Sequence, residues 1–165
     1  MRFRLRGTVE ADLAPRQETE TAVRATIMLC DYATVADGKL YISGGGWSVT
    51  NAQVPASAVA AKFEVPWTQA NQPIRIAFRL IDADGAPVLL AGPQGPLPVG
   101  AEAVLEVSRP LGVPAGTPID APMAFGVPPL SLAAGRRFSW VLEVDGETRE
   151  DWTLTFSTRP AGEHP

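Results

Sequence analysis

The fold of this chain follows from residues 29–49, which read LCDYATVADGKLYISGGGWSV. The pair Asp37-Gly38 predicts a turn, because glycine tolerates positive φ and aspartate bonds its own backbone. Apolar residues alternate with other types over residues 39–43 and, ahead of the turn, over residues 23–29, which is the period of a half-buried strand. The pattern predicts two strands flanking a loop from Asp31 to Gly38.

Three consecutive glycines, Gly44 to Gly46, close the second of these strands. Glycines inside a strand pattern indicate a bulge, a bend or a close approach of backbones. A phosphate-binding loop is the alternative, but it requires a helix after the glycines, usually with a Lys-Ser/Thr ending. Trp47 to Thr50 are strand-forming residues without a lysine, so a bent strand end is predicted.

Period-2 alternation recurs along the rest of the chain, most clearly over residues 74–80, 138–144 and 152–156. Ten prolines lie between Pro87 and Pro129 and exclude long helices there. Pro93–Pro98 and Pro110–Pro118 are predicted loops. The fold class is therefore predicted as all-β, an antiparallel β-sandwich of about eight strands, Ig-like or jelly-roll-like, with a closed barrel as the alternative.

The apolar pattern of the last two predicted strands indicates which residues form the core. Their apolar faces carry Trp140 on one strand and Trp152 and Phe156 on the other, and Phe78 occupies the same kind of position earlier in the chain. A two-residue Asp145-Gly146 turn with regular pairing would turn Trp152 to the wrong face. Either a three-residue turn, which sets Trp140 opposite Trp152, or an irregularity between residues 147 and 151 is required.

The chain is divided into a sandwich domain, residues 23–159, an N-terminal arm or tail, residues 1–22, and a C-terminal tail, residues 160–165. Residues 2–6, RFRLR, alternate at strand period. We expect this arm to pair as a strand with a sheet edge, in an assembly contact; a mobile tail is the alternative.

Charge and composition narrow the classes of partner. The formal net charge of −4 over 165 residues gives no indication of binding to nucleic acid or to an anionic membrane. The N-terminal residues are charged and lack the apolar run of a signal peptide. The sequence has no 18-residue apolar stretch, so no transmembrane helix is predicted. The single cysteine, Cys30, cannot form an internal disulfide, which fits a reducing compartment. A cytoplasmic location is therefore expected.

Several segments together resemble a bacterial family of small uncharacterised proteins. They are CDYATVADGKLYISGGGW at 30–47, VPW at 65–67, FRLIDADGAPV at 78–88 and FSWVLEVDGE at 138–147 with the later Trp152. The resemblance covers about Thr26 to Thr158. It implies a single β-sandwich domain and carries no assigned activity or catalytic residues.

Candidate chemistry is sparse. The only histidine is His164, next to the C-terminus, and Cys30 has no visible base, so no catalytic residues and no cofactor are predicted. Asp31, Asp37, Asp82 and Asp84 are weak candidates for a Ca²⁺ site, since hard cations take oxygen ligands from loops; turn formation is the favoured role.

The tryptophans at strand ends, Trp47 and Trp67, are the candidate binding residues. The favoured function is a non-enzymatic binding or assembly module with a protein partner or a second copy of itself. A Ca²⁺- or carbohydrate-binding sandwich is the alternative, and an enzyme is the least favoured class.

Overall fold

A computed structural model describes residues 22–162 of the chain. The predicted N-terminal arm therefore lies outside the described residues except for Ala22, and its pairing with a sheet edge stays a prediction. No helix within residues 22–162 is long and apolar enough to cross a membrane.

Fourteen strands and two three-residue 3-10 turns make up the described chain. The 3-10 turns are Trp67–Gln69 and Glu150–Trp152. In chain order the strands are β1 Arg24–Cys30, β2 Tyr32–Ala36, β3 Lys39–Ser43, β4 Val49–Thr50, β5 Gln53–Val54, β6 Ser57–Val65, β7 Ile74–Asp82, β8 Leu89–Gly92, β9 Gly95–Pro98, β10 Gly100–Leu105, β11 Ile119–Val127, β12 Leu130–Ser131, β13 Arg137–Val144 and β14 Thr153–Thr158.

Two sheets form the sandwich. The first has three antiparallel strands in the order β1-β6-β11, and the second has five in the order β10-β7-β13-β14-β4, of which only the β14–β4 pair is parallel. The two sheets do not join into a closed barrel. The predicted antiparallel sandwich is confirmed, and the two main sheets hold the predicted number of about eight strands.

The core lies between the facing sides of the two sheets. Phe78, Trp140 and Phe156 are 1%, 4% and 2% exposed, which confirms their predicted burial. Phe78 on the second sheet meets Phe125 on the first, with 4.5 Å between ring centroids. Aromatic pairs at this separation add about 0.5–1.5 kcal/mol beyond their buried area, so this contact helps to hold the layers together.

Strand β6 is buried on both faces. Its inner face carries Val59 and Phe63, while Ala58 and Ala60 on the outer face form a second small core with Cys30. The β2–β3 hairpin covers this outer face, since Ala33 and Leu40 pack against it. Small side chains at positions 58 and 60 allow the hairpin to approach the sheet.

The structure corrects the predicted loop from Asp31 to Gly38. Residues 32–36 form strand β2, which pairs with β3 through a two-residue turn at Asp37-Gly38. Both turn residues have positive φ, +50° and +69°, the conformation of the tightest hairpin turns. A turn this tight leaves residues 32–36 in register with β3, so they continue the ladder. The predicted loop Pro93–Pro98 is also wrong in part, because β8 and β9 pair as a hairpin there.

The turn before β14 has one of the two features that the pattern left open, the irregularity between residues 147 and 152. Asp145 and Gly146 form a two-residue turn with φ of +51° and +83°, and Val144 pairs with Glu147. The 3-10 turn that ends at Trp152 then inserts three residues before regular pairing resumes, so Trp140 lies opposite Leu154 and not opposite Trp152. The predicted irregularity is confirmed, and the alternative three-residue turn is wrong.

The glycine run bends the chain as predicted. Strand β3 ends at Ser43, no helix follows, and Gly44 and Gly46 have positive φ, +61° and +87°. The Gly46 amide donates to the Leu29 carbonyl at 2.8 Å. The bend therefore returns the chain to the edge of β1 and places Trp47 beside it.

Candidate functional site

One edge of the first sheet is open over part of its length. The C=O of Leu29 points away from β6, because it accepts the Gly46 amide. The N–H and C=O of one residue in an antiparallel strand point to the same side, and alternate residues point to opposite sides. Ala25 and Ile27 therefore also direct their backbone groups outward, and within residues 22–162 nothing bonds to them.

The second sheet has a matching open edge at the start of β14. The amides of Ser157 and Arg159 donate to Ser48 and Thr50 at 2.9 Å each, so odd-numbered residues point away from β13. Strand β4 covers only that end of β14. The outward backbone groups of Thr153 and Thr155 have no partner in the described part of the chain.

A cleft of about 310 Å³ lies between these two edges. Residues of β1, the glycine bend and β14 line it: Ile27, Met28, Leu29, Gly46, Trp47, Ser48, Thr153, Leu154 and Thr155. None of them is ionisable. The cleft thus combines an uncharged, partly apolar lining with unpaired backbone donors and acceptors, which suits an extended polypeptide segment.

The predicted binding residue Trp47 lies in this cleft. Its ring is half-buried and meets Phe156 edge-to-face, at 5.6 Å between centroids and 79° between planes. Its indole N–H is buried and has no acceptor among residues 22–162. Trp47 therefore connects the lining of the cleft to the core through its contact with Phe156.

The other predicted binding residue, Trp67, is elsewhere. It follows the end of β6 at Val65, whereas Trp47 lies by Leu29, which pairs with Val59 near the start of that strand. At about 3.3 Å per residue, the stretch of β6 from Val59 to Val65 is roughly 20 Å long. The guanidinium of Arg109 covers the Trp67 ring at 5.4 Å from its centroid. The two tryptophans do not line one groove.

The other outer strands of the two main sheets are less suited to an added strand. In β11, the backbone groups of the even-numbered residues point away from β6. One of these residues is Pro122, which has no N–H to donate to a further strand. The β10 edge carries Glu102, whose carboxylate pairs with Arg79 at 3.2 Å. Strand β4 is two residues long. Of the outer strands β1, β4, β10 and β11, β1 is the one that is longer than two residues and has neither proline nor a charged residue pointing outward.

The four candidate aspartates lie in turns or bends or at a strand end, and two of them, Asp37 and Asp82, take part in turns directly. Asp82 accepts the amides of Asp84 and Ala86 at 2.9 Å each, and Asp37 is the first residue of the β2–β3 turn. The backbone N–H of Asp31 is shared between the carbonyls of Ser43 and Gly44, at 3.1 and 3.3 Å. Residues 22–162 hold no cluster of three or more His, Cys, Asp or Glu side chains that suits a metal ion.

Cys30 is fully buried and donates its thiol to the Ala58 carbonyl at 3.4 Å. Burial raises the pKa of the Cys30 thiol above its ordinary value, so the thiolate that nucleophilic chemistry needs is disfavoured. The geometry gives Cys30 a packing role under the β2–β3 hairpin.

A larger depression of about 970 Å³ lies on the outer face of the second sheet. Arg79 occupies its middle, between Glu102 and Glu143 at 3.2 Å each, and Ala77 and Val104 border it. Exposed ion pairs of this kind contribute little energy. The depression is a charged, solvated sheet face without a distinctive binding group.

The sequence pattern predicts Trp47 as a binding residue, which stays a prediction, and it does not single out Ala25, Ile27, Thr153 and Thr155, whose open backbone groups border the candidate site. No signal in the sequence separates them from strand residues with partners on both sides. Strand order, which leaves these edges open, is set by contacts between distant parts of the chain.

Comparisons with known proteins agree with the resemblance to an uncharacterised family. The model of a family of unknown function, DUF6941, matches residues 25–157. No curated protein matches the chain. No solved structure matches it either.

Proposed function

Because the chain belongs to DUF6941, a family of unknown function, we propose its role from its own geometry: a non-enzymatic binding or assembly module that accepts an extended polypeptide segment along β1. The partner is a protein, either another polypeptide or a second copy of the chain. Neither nucleic acid nor a membrane is part of this proposal, and the compartment we propose is the cytoplasm.

The observation that supports this function is the open edge of β1 beside the cleft. Ala25 and Ile27 together offer two N–H donors and two C=O acceptors at strand spacing. Each such bond contributes about 0.5–1.5 kcal/mol net, so four bonds supply a few kcal/mol. The apolar lining around Met28 and Trp47 adds burial to these bonds.

Site-specific photo-crosslinking tests the proposal. A benzophenone amino acid at Met28, which borders the cleft and is 39% exposed, is expected to form a discrete crosslinked product in cells that make the full-length chain. Leu111 is the control position, because it is fully exposed in a loop away from the cleft.

The substitution Ile27→Pro provides the second control. It removes an outward N–H without removing a bond to β6, and the product at Met28 should disappear while far-UV circular dichroism stays that of the parent. Equal products at Met28 and Leu111, or a product at Met28 that survives Ile27→Pro in a folded chain, would contradict the proposed function.

A further inference from the structure

We propose that the partner at the β1 edge is a second copy of this chain, bound through antiparallel β1–β1 pairing about a two-fold axis at Thr26. This inference rests on the proposed function and names its partner. The two three-stranded sheets would then form one continuous six-stranded sheet across the dimer.

The positions of the open backbone groups select this register. A two-fold axis at Ile27 would pair Ala25 with the second copy's Leu29, whose C=O already accepts the Gly46 amide at 2.8 Å. An axis at Thr26 pairs Ala25 with the second copy's Ile27, and by symmetry Ile27 with its Ala25. All four resulting bonds use groups that are open in residues 22–162.

The side chains that this register brings together are compatible. On the outer face Thr26 meets its own copy, and threonine pairs are favourable neighbours across strands. Arg24 lies opposite the second copy's Met28, so no like charges face each other. Arg24 is already held by Glu64 at 2.7 Å.

On the inner face Ala25 and Ile27 are half-buried and pack against the core. Their exposed parts would be covered by the same two residues of the second copy. The same short edge of each copy thus supplies both sides of the interface, as a closed two-fold interface requires.

The neighbouring edges fit this arrangement less well. An added strand on β11 meets Pro122, and pairing of β10 about a two-fold axis at Glu102 places two carboxylates face to face. Of the β1, β10 and β11 edges, that of β1 has neither proline nor a charged residue among its outward-pointing residues.

A charge exchange at Thr26 tests the inference. Sedimentation equilibrium of the full-length chain is expected to show a dimer. Thr26→Lys and Thr26→Glu should each raise the dimer dissociation constant at least about tenfold, because like charges then meet across the axis. Mixing the two variants should restore a dimer, and salt should weaken this heterodimer.

Three controls accompany these variants. Val104→Lys alters an exposed residue on the other edge strand, β10 (Val104 is 65% exposed), and should leave the dimer intact. Melting temperatures are compared as well, since Thr26 lies opposite Lys62 of β6 in the same chain. A chain lacking residues 1–20 should still form the dimer.

A full-length chain that is monomeric at high concentration would overturn the dimer. So would dimers of Thr26→Lys as tight as those of the parent, disruption by Val104→Lys, or loss of the dimer on removing residues 1–20. The proposed function fails separately: a monomeric chain whose Met28 crosslinks to another protein loses the dimer and retains the binding function.

Discussion

Replacing Gly44 by alanine should destabilise the fold more than the same change at Gly38. Both residues have positive φ, +61° at Gly44 and +69° at Gly38. A left-handed conformation costs a residue with a Cβ about 1–2 kcal/mol, and at Gly38 this is the whole cost, because a Cβ there meets nothing within 4 Å.

A Cβ on Gly44 would in addition overlap the side chain of Asp31. It would come within 2.5 Å of Asp31 Cγ and 3.0 Å of its Cβ, and closer still to Oδ2. The terminal oxygens can rotate away, but the Asp31 Cβ is fixed by its backbone. Overpacking costs typically about 1–3 kcal/mol. We therefore expect Gly44→Ala to lose about 2–5 kcal/mol and Gly38→Ala about 1–2 kcal/mol.

Urea unfolding, followed by tryptophan fluorescence at one fixed protein concentration, measures both losses. The double variant Asp31→Ala/Gly44→Ala should recover part of the difference, because the carboxylate is gone while the Asp31 Cβ position remains occupied. Equal losses at positions 44 and 38, or no recovery in the double variant, would refute the assignment of Gly44 as a site of close approach.

Three other predictions concern the core, the acidic turns and pH. Phe78→Ala should cost about 3–5 kcal/mol of unfolding free energy, and a loss below about 1 kcal/mol would show that the buried face is misassigned. Millimolar Ca²⁺ should leave the melting temperature unchanged, whereas a rise that Asp82→Asn abolishes would establish a calcium site. The hydrogen bond from Lys62 and the charge of Arg24 hold the pKa of Glu64 below its ordinary value of 4.5. As the pH falls, the unfolded chain therefore takes up this proton before the folded chain does. The stability that Glu64 contributes decreases below pH 4.5. Glu64→Gln should flatten this acid limb in urea unfolding at a series of pH values, and an unchanged pH dependence would contradict the pairing.

Local pattern predicted the fold where one face of a strand is buried and the other is exposed. Phe78, Trp140 and Phe156 stand at such positions, and alternation alone identified them. Strand β2 was missed because its hairpin lies on the outside of a sheet, where apolar and polar residues mix: Ala33 packs inward while Val35 remains 40% exposed. The weak alternation of this segment is therefore typical of a loop, and local pattern does not predict the strand.

Local sequence pattern does not predict the candidate site. The glycine run places Trp47 at a strand end, which makes it a candidate, but the open donors and acceptors beside the cleft are backbone groups of ordinary strand residues. Whether Ala25 or Thr155 has a neighbour depends on which strands lie next to β1 and β14. That order arises from pairings far apart in sequence, such as β4 with β14, and periodicity carries no information about it.

The parallel pairing of β4 with β14 has a consequence for synthesis of the chain. Arg159 donates a hydrogen bond to Asn51 at 3.1 Å across a separation of 108 residues. At translation rates of about 5–20 residues per second, the strand near residue 50 waits roughly 5–20 s for its neighbour. Folding with such distant contacts is slow. Residues 49–50 therefore lack their partner strand until β14 has been synthesised, so the second sheet is completed only after β14 has left the ribosome.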